Sequence, residues 1–408
     1  MAQRSRSFFL AMVAAAGLLL GGCGDDTSPS NGVGVVTFSD GWMGILDTAT
    51  QTVSGPFLAG ELGSQNNSLL DVVITPDRKT ALISNFNDSK VFIVDISRRS
   101  APVVLGSITT SFFAEDLALT PDGRFALMSD GGFSPKIAVI DVKNVTLIEE
   151  YTSPDIDPDP ASTSYDAYFN SIDVAADGRT VLAADYFNGK VHTLTINDAG
   201  HLTFAGSIDV TDGGTLRPVN VTISPNSKTA LVSVVSSDPD NTDTLYAADY
   251  MRFPVLEITA PGVVAFKSFV ATAARITACQ SIVFNSLSTK AYALCTQEDP
   301  DVTDLMPPNN TIVELNVGYT STVSDSGNTT EVGFIGSSQL FGVDTLALDR
   351  YNRYLYVSNM TVSGAKSYLQ VLDVTKRTVV KTIDFVDVEM PPGGGVTVPA
   401  LPTGVYIR

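Results

Sequence analysis

From residue 71 onward, short apolar runs alternate with tight polar turns, and the same order of runs and turns returns. Asp71-Val-Val-Ile-Thr-Pro-Asp-Arg-Lys-Thr-Ala-Leu-Ile-Ser-Asn85 and Asp116-Leu-Ala-Leu-Thr-Pro-Asp-Gly-Arg-Phe-Ala-Leu-Met-Ser-Asp130 are two copies. Each leads into an apolar run ending in Asp95 or Asp141. In the first copy, residues 71–75 predict a strand, a, and residues 76–79 a turn, with Pro and Asp where a tight turn takes them. Residues 80–84, 91–96 and 102–108 predict strands b, c and d, which together make one antiparallel four-stranded unit.

The residue ending strand c marks the period. It falls at Asp47, Asp95, Asp141, Thr195, Glu257, Asn316 and Asp373, at spacings from 46 to 62 residues. A repeat of this length built only from short strands is a β-propeller, with the excess length in loops. The first c strand has no a–b hairpin before it, because residues 35–38 match strand b. The last segment, Pro402-Thr-Gly-Val-Tyr-Ile-Arg408, matches strand a. The C-terminal strand is therefore expected to complete the N-terminal blade, which removes two free sheet edges. The expectation is an all-β, seven-bladed propeller over 34–408. Six blades is the competing count, because the unit over 221–269 is poorly spaced.

The N-terminus reads differently. Met1-Ala-Gln-Arg-Ser-Arg6 is a basic leader, residues 8–20 are apolar but short for a membrane span, and Leu20-Gly-Gly-Cys23 matches a bacterial lipobox. Residues 1–22 are thus expected to be a lipoprotein signal peptide, with Cys23 the acylated anchor. Residues 23–33 then form a flexible tether. The expected location is the cell envelope, with the outer membrane or cell surface favoured over the inner membrane because Gly24, not Asp, follows Cys23.

Arg353-Tyr-Leu-Tyr-Val-Ser-Asn359 and Leu369-Gln-Val-Leu-Asp-Val374 resemble the strand b and c signatures of YVTN-type repeats in bacterial seven-bladed propellers. Val91-Phe-Ile-Val-Asp-Ile-Ser97 is similar to the related LVIVD repeat. The resemblance spans 34–408 and implies the fold. Such propellers include lactonases, electron-transfer subunits and binding scaffolds, so it does not single out an activity.

Formal charge is −19. This argues against nucleic acid as a partner and, on the whole-chain count, against a polybasic membrane surface, leaving the lipid anchor as the membrane contact. Cys279 and Cys295 sit equidistant from the centre of one a–b hairpin. In an exported chain they are expected to form a disulfide, with buried free thiols the alternative.

The long loops all connect d to a or b to c, on one face of the ring. That face is where a protein, glycan or small ligand would be met. Three of these loops space carboxylates closely: Asp155, Asp157 and Asp159; Asp238, Asp240 and Asp243; Asp299, Asp301 and Asp304. Such spacing can converge oxygens on Ca²⁺, although Pro interrupts each run and solvated acidic loops are the alternative. A second candidate is a polar ring at the channel mouth, made by Asp71, Asp116, Ser171, Asn220, Ser281 and Thr345, which could hold a ligand or only satisfy backbone donors. Asp71, Asp116 and Arg217 approximate the carboxylate and Arg set of a lactonase-like hydrolase. His192 and His201 are the only histidines, and no haem, phosphate-loop or hydrolase-elbow motif occurs. These readings favour a binding or scaffold propeller over an enzyme. Trp42, Tyr168, Phe169 and Tyr186 are either docking aromatics or inter-blade core. If the acidic loops bind Ca²⁺, millimolar Ca²⁺ raises the thermal midpoint of residues 24–408, freed of Cys23, by several degrees over chelator. Asp240→Ala and Asp157→Ala then locate the loop responsible.

Overall fold

The computed structural model describes residues 32–39, 41–63, 69–132, 134–152, 155–156, 167–213, 216–236, 252–272, 276–297, 309–334, 345–359, 368–385, 388–390, 396–398 and 402–408. Their regular structure is all β-strand, in seven antiparallel four-stranded blades. Blade 2 shows the unit: Leu69–Ile74 (a), Thr80–Asn85 (b), Lys90–Asp95 (c) and Val103–Thr109 (d). Blades 3 and 4 follow from Ala114–Leu119 and Phe169–Val174, and blades 5, 6 and 7 from Leu216–Ile223, Ile276–Phe284 and Leu346–Leu348. A small hairpin of Val388–Met390 and Val396–Val398 precedes the last strand.

That last strand, Pro402–Ile407, pairs with Val33–Phe38 and so becomes strand a of blade 1. Val33 and Arg408 exchange backbone hydrogen bonds at 3.3 and 2.9 Å. The ring is thus complete within residues 33–408. The count is seven, not six: the unit over 221–269 is a true blade. Its poor spacing arises from strands lengthened to eight and nine residues and a b–c connection running from 237 to 251. Blades 5 and 6 merge into one sheet through a single bridge, Val235 to Ala278.

The recurring Asp has a local cause. All seven marker residues lie opposite the first residue of strand b, as Asp95 lies opposite Thr80 and Asp373 opposite Tyr354. There the carboxylate caps the c–d turn: Asp47 Oδ1 accepts the Ala49 and Thr50 amides, and Asp373 Oδ1 those of Thr375 and Lys376. The a–b turns place one residue at positive φ. It is Gly in two blades (Gly123, Gly178), where a left-handed backbone costs no Cβ clash, and Arg78, Ser227, Ser288 or Asn352 elsewhere.

The core lies between blades. Leu82, Ile93 and Val91 pack against Ala126, Met128 and Ala138 of the next blade. Trp42 and Phe169 are buried in such seams, with Trp42 stacked on Phe38 at 3.5 Å, so the core reading holds for these two; Tyr168 is buried and Tyr186 half-buried, but both line an axial cavity.

Cys279 pairs with Cys295 across the blade 6 hairpin, and the two form a disulfide. Closing a loop of this length restricts the unfolded chain by about 3 kcal/mol. The double variant Cys279→Ser, Cys295→Ser is expected to lose about that much in urea unfolding, and reductant should bring wild type to the same midpoint.

Candidate functional site

Six of the seven strands a carry a bulge at one height, where two residues oppose one on strand b. The pairs are Leu70–Asp71, Glu115–Asp116, Asn170–Ser171, Val219–Asn220, Gln280–Ser281 and Thr403–Gly404. A bulge breaks the ladder and turns two consecutive side chains out of the usual alternation. Here it brings both members of five pairs, and Thr403 of the sixth, to the wall of one axial cavity of about 360 Å³.

The second residue of each pair is tied into the scaffold. In blades 2 and 3 the amide freed by the bulge donates to a strand-b hydroxyl, Asp71 N to Ser84 Oγ (2.9 Å) and Asp116 N to Ser129 Oγ (3.2 Å); in blade 7 Thr345 N likewise donates to Ser358 Oγ (2.9 Å), without a bulge among the described residues. The side chain accepts a backbone amide from the next blade. Leu117 N reaches Asp71 Oδ2 at 2.9 Å, Ile172 N reaches Asp116 Oδ2 at 2.8 Å, Val221 N reaches Ser171 Oγ at 3.2 Å, and Val405 N reaches Thr345 Oγ1 at 2.9 Å. One turn lower, Ile223 N reaches Asp173 Oδ2 at 2.7 Å. The structure brings Asp71, Asp116, Ser171, Asn220, Ser281 and Thr345 to this single cavity, and five of them also join neighbouring blades, Asn220 by donating to Ser171 Oγ at 3.2 Å.

The first residue of each pair is freer. The Glu115 carboxylate accepts the Tyr168 hydroxyl, 2.8 and 2.7 Å from its two oxygens. Asn170 donates to Val219 O at 2.8 Å, but its Oδ1 and the Oε1 of Gln280 are buried without a partner. Both residues line the cavity. Sequence reasoning missed Glu115, Asn170 and Gln280 because strict alternation points the neighbour of a channel residue away from the channel. A bulge has no reliable single-sequence signature.

Among the described residues that line the cavity there is no Lys, Arg or His. Burial without a cation favours protonated acids. Burial pushes Glu115 up to about 8, against the opposing hydrogen bond from Tyr168, and Asp173 up to about 7. Asp71 is raised well above the ordinary carboxylate range by burial and then by the Asp116 charge, and Asp116 is raised by burial.

Arg217 does not join them. It lies at the rim between blades 4 and 5, near Gly189 and Asp209, outside the cavity lining. His192 is buried in blade 4, with Nε2 3.0 Å from Asp185 Oδ2 and Nδ1 2.7 Å from Ser207 Oγ. Asp185 also accepts the Tyr168 amide, so this chain holds the residue that holds Glu115. His201 pairs with Glu149 at 3.0 Å on the opposite face. Of the nine loop carboxylates, only Asp155 is among the described residues, and among these no group of three or more His, Cys, Asp or Glu could hold a metal ion.

The fold is shared widely. An uncharacterised protein of Desulfotomaculum acetoxidans superposes with TM-score 0.68 at 18% identity, covering 92% of this chain and 98% of its own. A putative 6-phosphogluconolactonase of Bacteroides fragilis gives 0.59 at 15%, covering 94% and 99%. The periplasmic gluconolactonase of Pseudomonas aeruginosa gives 0.59 at 15%, covering 92% and 98%. No family model and no curated protein matches the chain. At these identities the likeness defines a seven-bladed β-propeller and nothing finer.

The raised carboxyls set a pH dependence. A carboxyl whose folded pKa exceeds its unfolded value stabilises the fold most below the unfolded value, and that stability is lost as pH rises through the folded value. Unfolding free energy is therefore expected to fall, by on the order of a few kcal/mol, between about pH 4.5 and 8. Glu115→Gln should flatten the upper part of this slope in urea titrations at stepped pH.

Proposed function

We propose that the protein is a lipid-anchored, YVTN-type propeller of the cell envelope that binds a small, donor-rich solute in its axial cavity. The observation carrying this reading is the mismatch in the wall. Carboxyls line a cavity with no basic group among its described residues, and Asn170 and Gln280, which also line it, each keep a buried amide oxygen without a partner. Buried acceptors without donors are costly, and a ligand rich in hydroxyl or ammonium hydrogens supplies them. The described wall offers an anion no cationic partner, so a phosphorylated sugar is a poor fit and a neutral polyol or an organic cation a good one.

A second reading, lactone hydrolysis, draws on the buried carboxyls of Asp71 and Asp116 in one cavity wall and on two structural neighbours whose names describe lactonases. In that reading Glu115 or Asp116 takes a proton from water as it adds to the lactone carbonyl.

Calorimetry with glucono-1,5-lactone, sorbitol, spermidine and gluconate separates these. Binding of a neutral or cationic probe, lost about tenfold or more in Gln280→Ala or Glu115→Ala, is the expected outcome, with gluconate inert. Base uptake in a pH-stat with the lactone, abolished by Asp116→Asn and rising with pH through about 8, would instead establish the hydrolase. If no probe binds and the lactone is untouched, the cavity reading fails.

A further inference from the structure

The chain is acidic overall, yet the fold sorts its charge. The face of a–b and c–d turns, opposite the long loops, carries Arg78 and Arg99 of blade 2, Arg350 and Arg353 of blade 7, and Arg408 at the end of blade 1. These lie in one sector. Arg350 and Arg353 both stack on Tyr351, with guanidinium carbons 4.5 and 4.9 Å from the ring centre. Arg78 is half-buried beside them, and its pKa is lowered by burial and by the charges of Arg350, Arg99 and Arg408. Tyr351 is 46% exposed, and on the adjoining blade 6 turns Leu287 and Tyr319 are 72% and 77% exposed. The turn carboxylate Asp349 is buried; it accepts the amides of Arg353 and Tyr354 and pairs with the Arg353 guanidinium, Oδ2 lying 3.7 Å from Nε, so Arg353 is partly neutralised while Arg78, Arg350 and Arg408 carry the sector's charge.

The chain enters the ring in this same sector. Gly32 O accepts Thr48 N and Oγ1 on the c–d turn of blade 1, and Val33 N donates to Arg408 O. Nine residues separate Cys23 from Val33, and nine residues reach at most about 30 Å. An anchor at Cys23 therefore lies within that distance of the arginine sector, and the cavity's loop face is on the far side.

We infer that the arginine and tyrosine sector of the a–b face is a membrane-apposition surface that takes anionic phospholipid headgroups. Arginines supply the charge, and tyrosine and leucine at the rim suit the interface between headgroup and acyl layers. The propeller is then held flat on the bilayer with its cavity opening away from it. The orientation rests on Cys23 as the anchor; the surface itself does not.

The test uses residues 24–408 without Cys23, a chain that retains the complete ring, and vesicles of phosphatidylcholine with or without 30% phosphatidylglycerol. Binding that needs phosphatidylglycerol, weakens with salt, and falls about tenfold or more in Arg78→Glu, Arg350→Glu, Arg408→Glu is expected. Lys190→Glu, Arg217→Glu on the loop face should bind as wild type. Hydrogen exchange of the wild type on the same vesicles should slow at the turns of blades 6, 7, 1 and 2, a readout independent of whether the triple variant folds. Binding without need of the anionic lipid, equal loss from the loop-face pair, or protection on the loop face overturns the proposal. So does an absence of binding. The mass of the full chain recovered from membranes reports acylation at Cys23 separately, so failure of the anchor is not confused with failure of the surface.

Discussion

Seven sheets arranged around an axis must bring their innermost strands close together, and those strands carry backbone groups that cannot all be satisfied within a blade. The bulge on strand a sharpens this conflict, because it frees an amide in every blade where it occurs. The chain resolves it with side chains. A strand-b serine takes the freed amide, and an inner aspartate, serine or threonine takes an amide of the next blade. Most of the repeat's polar positions follow from this. The Ser of Ile-Ser-Asn85 and of Met-Ser-Asp130 is the acceptor that makes the bulge tolerable in blades 2 and 3.

The same device creates the cavity. Once the bulge is committed, its first residue projects toward the axis and is released from the duties of its neighbour. Architecture and recognition thus separate by one position. Asp116 joins blade 3 to blade 4, while adjacent Glu115 meets Tyr168 and the cavity. This separation lets one scaffold change its interior without losing its ring. It also explains why fold likeness to lactonases says so little about this chain: its cavity wall is defined by residues that closure leaves open to variation.

Low dielectric then dictates the chemistry. Several buried carboxyls share one cavity whose described lining holds no basic side chain, so protons stay on them at pH values where surface acids are ionised. The formal charge of −19 overstates the charge the cavity presents. It equally conceals the arginines of the turn face. A net charge is a sum over directions, and both a ligand and a membrane meet only one direction.

Much of the architecture was legible in the residues. Period, strand order, turn chemistry, closure of the last strand on the first blade and the pairing of Cys279 with Cys295 all follow from local patterns and from symmetric distance to a hairpin centre. The inner ring of Asp71, Asp116, Ser171, Asn220, Ser281 and Thr345 was legible as well, because each blade repeats the position. Three things were not. Glu115, Asn170 and Gln280 reach the cavity only through a bulge, which depends on which register the two strands settle into. Arg217 is excluded because its place relative to Asp71 depends on blades three apart in the ring. The sorting of arginines to one face appears only when turns distant in sequence share one side of the ring. Short-range hydrogen bonding and burial write the repeat into the chain, whereas distances across the axis exist only after seven blades have closed.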